Sequence, residues 1–225
     1  LDDLASQATY DYHANPGLVG RLKDGRSPPL MPAAFAERVG TKHFTNGSDL
    51  SSVCALQAHV AAAVLGGVEV FQFGRLGFRE ADMHTLCDAL PACSRLQKLK
   101  MHGNEIGAGG AAVIAQAVTN EKLPRTLEFL GLGMNQIGDT GAIALGVAFS
   151  VSGRLPNLTA LDLRNNDISD EGLDPLCSAL AAGALPKLEE LVLDRNCLGN
   201  DTLLRLAGAL PSLPRLKKLQ INVQT

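Results

Sequence analysis

Apolar residues return along this chain in a fixed order. Four segments align without gaps: LQKLKMHGNEI from Leu96, LEFLGLGMNQI from Leu127, LTALDLRNNDI from Leu158 and LEELVLDRNCL from Leu188. The last three read L-x-x-L-x-L-x-x-N, the first has Met101 at the third apolar position, and in all four the asparagine is followed after one residue by Ile or Leu. The asparagines Asn104, Asn135, Asn166 and Asn196 stand 30 or 31 residues apart. The L-x-L alternation has the period of a strand. A degenerate copy lies upstream, with Val68, Phe71, Phe73 and Phe78 in the apolar positions and Leu76 in place of the asparagine. A truncated copy with Leu216, Leu219 and Ile221 closes the series, so six strands are expected between Val68 and Val223.

The second half of each repeat changes period. Apolar columns recur at i, i+3, i+4, i+6 and i+7, which is one face of a helix. The first column is Met83, Ala111, Ala142, Leu173 and Leu203, and the last is Leu90, Val118, Phe149, Leu180 and Leu210. One column is alanine throughout: Ala89, Ala117, Ala148, Ala179 and Ala209. A column that small predicts close approach between helix and sheet, where a larger side chain would overpack.

Strand, asparagine turn and helix at this spacing resemble the leucine-rich repeats, over roughly residues 68–223. Repeats of this length with a full helix are similar to the ribonuclease-inhibitor-like class, found also in Ran GTPase-activating proteins and NOD-like receptors. The resemblance implies an α/β solenoid, with a concave parallel sheet of about six strands and convex helices. It also implies that the asparagines satisfy buried backbone groups where the chain leaves each strand.

A solenoid needs closing at its ends. Residues 48–67 read as a capping helix over the first strand's edge, started by Ser48 or Asp49 and stopped by Gly66 and Gly67. Residues 1–47, with Pro16, Pro28, Pro29 and Pro32, read as an irregular N-terminal arm held by its own solenoid or by a partner. Residues 68–225 are the solenoid, and its last strand is expected to leave an open edge.

Composition narrows the function. The net charge of −3 argues against nucleic-acid binding through bulk positive charge. No window reaches the ~18 apolar residues of a transmembrane segment. Aromatics are 4% and Trp is absent, so Leu, Ile, Val and Ala must build the core. Five cysteines, an odd number without a C-x-x-C pair, fit a reducing, intracellular compartment. The first 30 residues lack a secretory apolar segment. A chain starting at Leu1 leaves cytosol and organelle interior, after presequence removal, equally open.

No catalytic group, metal site or cofactor is expected. Cys87, His84 and Asp88 fall within one helical turn, yet Cys87 shares a small-residue core column with Ala115, Gly146, Cys177 and Ala207. The glycine runs match no phosphate-binding signature, and Gly107, Gly138 and Gly199 share one turn column. The five histidines show no ligand spacing.

The informative surface is the set of residues between the consensus leucines, which alternation turns to solvent. A basic strip (Lys98, Lys100, His102) borders an apolar strand, with Phe129 and Met134 exposed around Gly131 and Gly133. Asp162, Arg164, Asp194 and Arg195 supply mixed charge on the far side. An apolar centre with a charged rim is the anatomy of a protein-binding site. The reading is a non-catalytic scaffold or adaptor that binds other proteins, an accessory subunit of a multi-subunit assembly. The alternatives are a GTPase regulator resembling the Ran-activating proteins and an enzyme inhibitor or innate sensor fragment.

Overall fold

In the computed structural model, which describes residues 9–10, 64–151 and 153–222, each L-x-L stretch is a three-residue strand and each following apolar face is a helix. The strands are β1 (Thr9–Tyr10), β2 (Val70–Gln72), β3 (Lys98–Lys100), β4 (Phe129–Gly131), β5 (Ala160–Asp162), β6 (Glu190–Val192) and β7 (Lys218–Gln220). The helices between them are α1 (Glu80–Ala89), α2 (Gly107–Thr119), α3 (Gly138–Ser150), α4 (Asp170–Ala181) and α5 (Asn200–Ala209). All strand pairs are parallel and the sheet order is the chain order. The six strands expected from the repeats are present. The seventh, β1, pairs with the edge of β2, and its two residues carry no alternation to reveal it. Residues 64–67 are helical, whereas the rest of the expected capping helix and arm lies outside the described residues.

Strands repeat every ~4.8 Å across a sheet, while helices are ~10 Å wide. Stacking both in the same series spreads the helix side and makes the sheet the concave face. The core lies between the two layers. Leu99, Leu130, Leu161 and Leu191 enter it from the strands, and Leu86, Ile114, Leu145, Leu176 and Leu206 from the helices. Each such side chain contributes about 1.5–3 kcal/mol by leaving water. The alanine column is buried at all five positions. Phe71, Phe73 and Phe78 fill the degenerate first repeat, with Phe73 stacked on Phe71 at 4.7 Å.

The asparagines form a buried ladder. Asn166 Oδ1 accepts from the backbone N–H groups of Asn135 (2.8 Å) and Ile137 (3.4 Å) in the preceding repeat. Its amide donates to Leu132 O and Leu163 O, both at 3.0 Å, and to Arg164 O at 3.2 Å. Asn104, Asn135 and Asn196 make the corresponding bonds, and Leu76 N–H is one of the groups that Asn104 receives. Each rung satisfies polar groups that would otherwise be stranded in the core. The small-residue column serves helix–helix contact: a Cβ on Gly146 would meet Leu176 N at 2.5 Å and Pro175 C at 2.9 Å.

Candidate protein-binding face of the sheet

Register decides which side chains meet on the concave face. The first row runs Val70, Lys98, Phe129, Ala160, Glu190, Lys218, and the second Gln72, Lys100, Gly131, Asp162, Val192, Gln220. Past the strands, backbone bonds from Gly103 to Gly133, Met134 to Arg164 and Asn165 to Asp194 extend the series, so His102, Gly133, Arg164 and Asp194 form a third row. A fourth holds Arg75, Met134, Asn165 and Arg195, all left-handed with φ between 52° and 61°. That conformation costs a non-glycine residue roughly 1–2 kcal/mol. It recurs in each of these repeats because it turns the next residue, the asparagine or Leu76, inward. Side chains in this row are thereby held at the rim.

The two glycines between Phe129 and Met134 are covered by side chains. A Cβ on Gly131 would lie 2.6 Å from Cε1 of Phe129, so the half-buried Phe129 ring occupies that space. A Cβ on Gly133 would lie 2.9 Å from Cγ of Arg164, whose stem covers that glycine in turn. Phe129 and Met134 therefore do not flank an open depression. Met134 stands at the rim, 43% exposed, beyond the end of β4 that Phe129 begins.

Asp162 does not point freely to solvent either; it is 7% exposed. Arg164 Nε donates to both of its carboxylate oxygens at 2.9 Å, and a terminal guanidinium nitrogen reaches Oδ2 at 2.7 Å. The same hydrogen bonding pushes the Arg164 guanidinium pKa up. Simple alternation misses this because the Arg164 side chain folds back over its own strand. Val192, in the row with Asp162, is buried as well. Lys98 and Arg195 are exposed, and Lys100, His102 and Asp194 half-buried.

A family model described as "Leucine Rich repeat" matches residues 124–146 and 154–177, the repeats that carry α3 and α4. The chain is a leucine-rich-repeat protein. It is of the ribonuclease-inhibitor-like class, as its full-length helices and the match to a ribonuclease inhibitor indicate. This pig inhibitor (Sus scrofa) is 28% identical over 56% of the chain and 32% of its own length. Tonsoku-like protein of Mus musculus is 38% identical over 45% of the chain and 7% of its own length. The chain thus spans a third or less of these relatives. Among solved structures, leiomodin-1 actin-binding site 2 shares the fold at 17% identity, with a TM-score of 0.51 over 64% of this chain and 78% of that one. Leucine-rich-repeat proteins of this kind are protein-interaction scaffolds.

Three of the described cysteines of this leucine-rich-repeat protein pack into its core. Cys87 faces the core while His84 and Asp88 are exposed on the same helix, so the three do not converge. Burial pushes the Cys87 thiol up to about 12, with Lys122 opposing the shift, and burial takes Cys93 and Cys177 to about 11. Among the described residues no group of three or more His, Cys, Asp or Glu is placed to hold a metal ion. No described helix is long and apolar enough to cross a membrane.

Two carboxylates were not visible as functional in the sequence. Asp139 accepts from Ser169 N–H at 2.6 Å and Ser169 Oγ at 2.7 Å, tying α3 to the start of α4. Asp170 accepts from Gly199 N–H at 2.8 Å and from the Thr202 hydroxyl and N–H, tying α4 to α5. The Thr202 hydroxyl first, then Gly199, holds the Asp170 pKa below the usual carboxylate value. Their shared position, four residues past Asn135 and Asn166, is the signal that marks them. The glycine turn column divides accordingly. Gly107 and Gly138 are left-handed with φ near 60°, whereas Gly199 is extended and starts a helix capped by the preceding repeat.

Proposed function

We propose that this leucine-rich-repeat protein is a non-catalytic adaptor, an accessory subunit of a larger intracellular assembly, and that a partner protein docks on the concave face over β3 and β4. The observation that carries this reading is the uneven pairing of charge across that face. Toward the C-terminal end two of the three concave carboxylates are engaged, Asp162 by Arg164 and Glu190 by Lys218 at 2.5 Å, while Asp194 holds no ion pair among the described residues. Toward the N-terminal end Arg75, Lys98 and Lys100 have no carboxylate within salt-bridge reach among the described residues. Lys98 is the register neighbour of Phe129. A cationic surface beside a half-buried ring suits an acidic protein segment that brings an apolar side chain to Phe129.

In this reading His102, Met134, Asp194 and Arg195 form the polar and flexible margin. Asp162 contributes by fixing Arg164 and makes no contact of its own. Four described cysteines are free and three of them buried, which supports a reducing compartment. The test compares partner capture by the wild-type chain and by the Lys98→Glu, Lys100→Glu double variant, with thermal melting of both. Loss of about tenfold or more in partner affinity at unchanged melting temperature is expected. A partner retained at full affinity by the double variant refutes the placement of the site.

A further inference from the structure

β1 ties the start of the chain to the sheet, running parallel to β2 with Thr9 level with Val70. Residues 1–8 lie outside the described residues, yet the point where they join the sheet is fixed. The chain enters β1 at the end of the sheet where the first concave row runs Val70, Lys98, Phe129. The sequence of residues 1–8 is LDDLASQA. Asp2 and Asp3 carry two negative charges, Leu4 follows them directly, and no Lys or Arg precedes Arg21. Opposite in sign, the concave rows across β2, β3 and β4 hold Arg75, Lys98 and Lys100 and no Asp or Glu among the described residues. Two carboxylates beside a leucine are the chemistry that Lys98, Lys100 and the ring of Phe129 select.

We propose that Asp2, Asp3 and Leu4 dock on the concave site of their own chain, as an intramolecular competitor of the partner protein. The inference rests on the reading of Lys98, Lys100 and Phe129 as a docking site. Reach permits it. Strands ~4.8 Å apart put β3 ~10 Å and β4 ~14 Å from β1. Six residues join Asp3 to Thr9 and five join Leu4 to Thr9, extended spans of ~20 Å and ~17 Å. Lys98 and Phe129 are register neighbours, so adjacent residues of the segment can serve both.

Attachment also favours this occupant over a free one. A tether this short sets an effective concentration of about 1 mM. A segment that binds with a Kd of about 100 μM then fills the site about nine-tenths of the time and weakens any competitor about tenfold.

Two measurements on the full chain test the proposal. A carbodiimide joins a carboxylate to an amine in contact with it, and digestion with mass spectrometry maps the link. Asp2 or Asp3 should be joined to Lys98 or Lys100 in a species with the mass of one chain. Absence of that link overturns the proposal, as does a link found only at the mass of two chains. The second probe is a labelled peptide of sequence LDDLASQA. The Asp2→Asn, Asp3→Asn variant should bind it with a Kd of about 100 μM, wild type about tenfold more weakly, and the variant that also carries Lys98→Glu and Lys100→Glu not at all. Equal binding by wild type and the asparagine variant overturns the proposal, and so does no binding by that variant at about 1 mM peptide. If the cross-link fails while Lys98→Glu with Lys100→Glu still abolishes partner capture, the docking site stands and only its occupation by residues 2–4 falls.

Discussion

Replacing Asn166 by alanine removes five hydrogen bonds at once while changing nothing on the surface, since Asn166 is fully buried. Three of the five are well formed: Asn135 N–H loses its acceptor at 2.8 Å, and Leu132 O and Leu163 O lose donors at 3.0 Å. Each buried group left unsatisfied costs about 1–3 kcal/mol. Taking the low end for three groups, and allowing the carbonyls their second lone pair, Asn166→Ala should cost roughly 3–4 kcal/mol. That is a large share of the ~5–15 kcal/mol of a whole domain. Asn104→Ala should cost less, about 2 kcal/mol, because two of its partners, Leu76 N–H and Phe73 O, are only partly buried and water can replace the amide there. Urea unfolding followed by circular dichroism reads both values, provided the slope with denaturant stays constant. Asn166→Asp supplies a second arm. Its carboxyl would face three carbonyl oxygens in a buried site, raising its folded-state pKa above the unfolded one. The folded chain then binds the proton more tightly, so the variant should be weakest at neutral pH and recover as pH falls through the folded value. A loss under ~1 kcal/mol for Asn166→Ala would refute the ladder as a source of stability.

Other outcomes follow from single contacts. Asp170 has a folded-state pKa below its unfolded one, so its contribution is present above the usual carboxylate range and is lost as pH falls through the folded value. The stability gap between wild type and Asp170→Asn should therefore be widest at neutral pH and close in acid, and an unchanging gap from pH 7 to pH 3 would count against the cross-repeat cap. Ala148→Leu should cost about 1–3 kcal/mol through overpacking, and Gly146→Ala a similar amount because its Cβ meets the α4 backbone. A neutral melting temperature for either would show that the helices are free to move apart. Iodoacetamide at pH 8 should label the exposed Cys197 and spare Cys87, whose buried thiol is pushed up to about 12, as mass spectrometry of the native protein would record.

The solenoid was legible because its determinants recur. A leucine-centred strand, a buried amide and an apolar helix face each appear at least four times in register, so chance agreement is excluded. Phe71, Phe73 and Phe78 could be placed in a repeat that lacks the asparagine for the same reason. The open face was less legible, since alternation tells which side of the sheet a residue leaves from and nothing about where its side chain goes next. Asp162 and Arg164 both leave on the concave side, yet one is buried beneath the other. Phe129 likewise leaves on the concave side, yet its ring is half-buried over Gly131. The Asp139 and Asp170 caps join residues about 30 positions apart, a separation that helix-capping patterns within one segment do not span.

The asparagine ladder also bears on how the molecule would carry tension. From β2 to β7 each junction between neighbouring repeats has a three-residue strand ladder. Those closed by Asn104, Asn135, Asn166 and Asn196 carry a side-chain tie as well. A pull along the solenoid axis loads these junctions in series, so each bears the full force and the one with the fewest ties yields first. Among the described residues that place is the contact between β1 and β2, with two paired residues and no amide rung, since Leu76 stands where the asparagine would be. Among the described residues that contact is in this sense a mechanical fuse: β1 would peel away while the repeats behind it remain zipped.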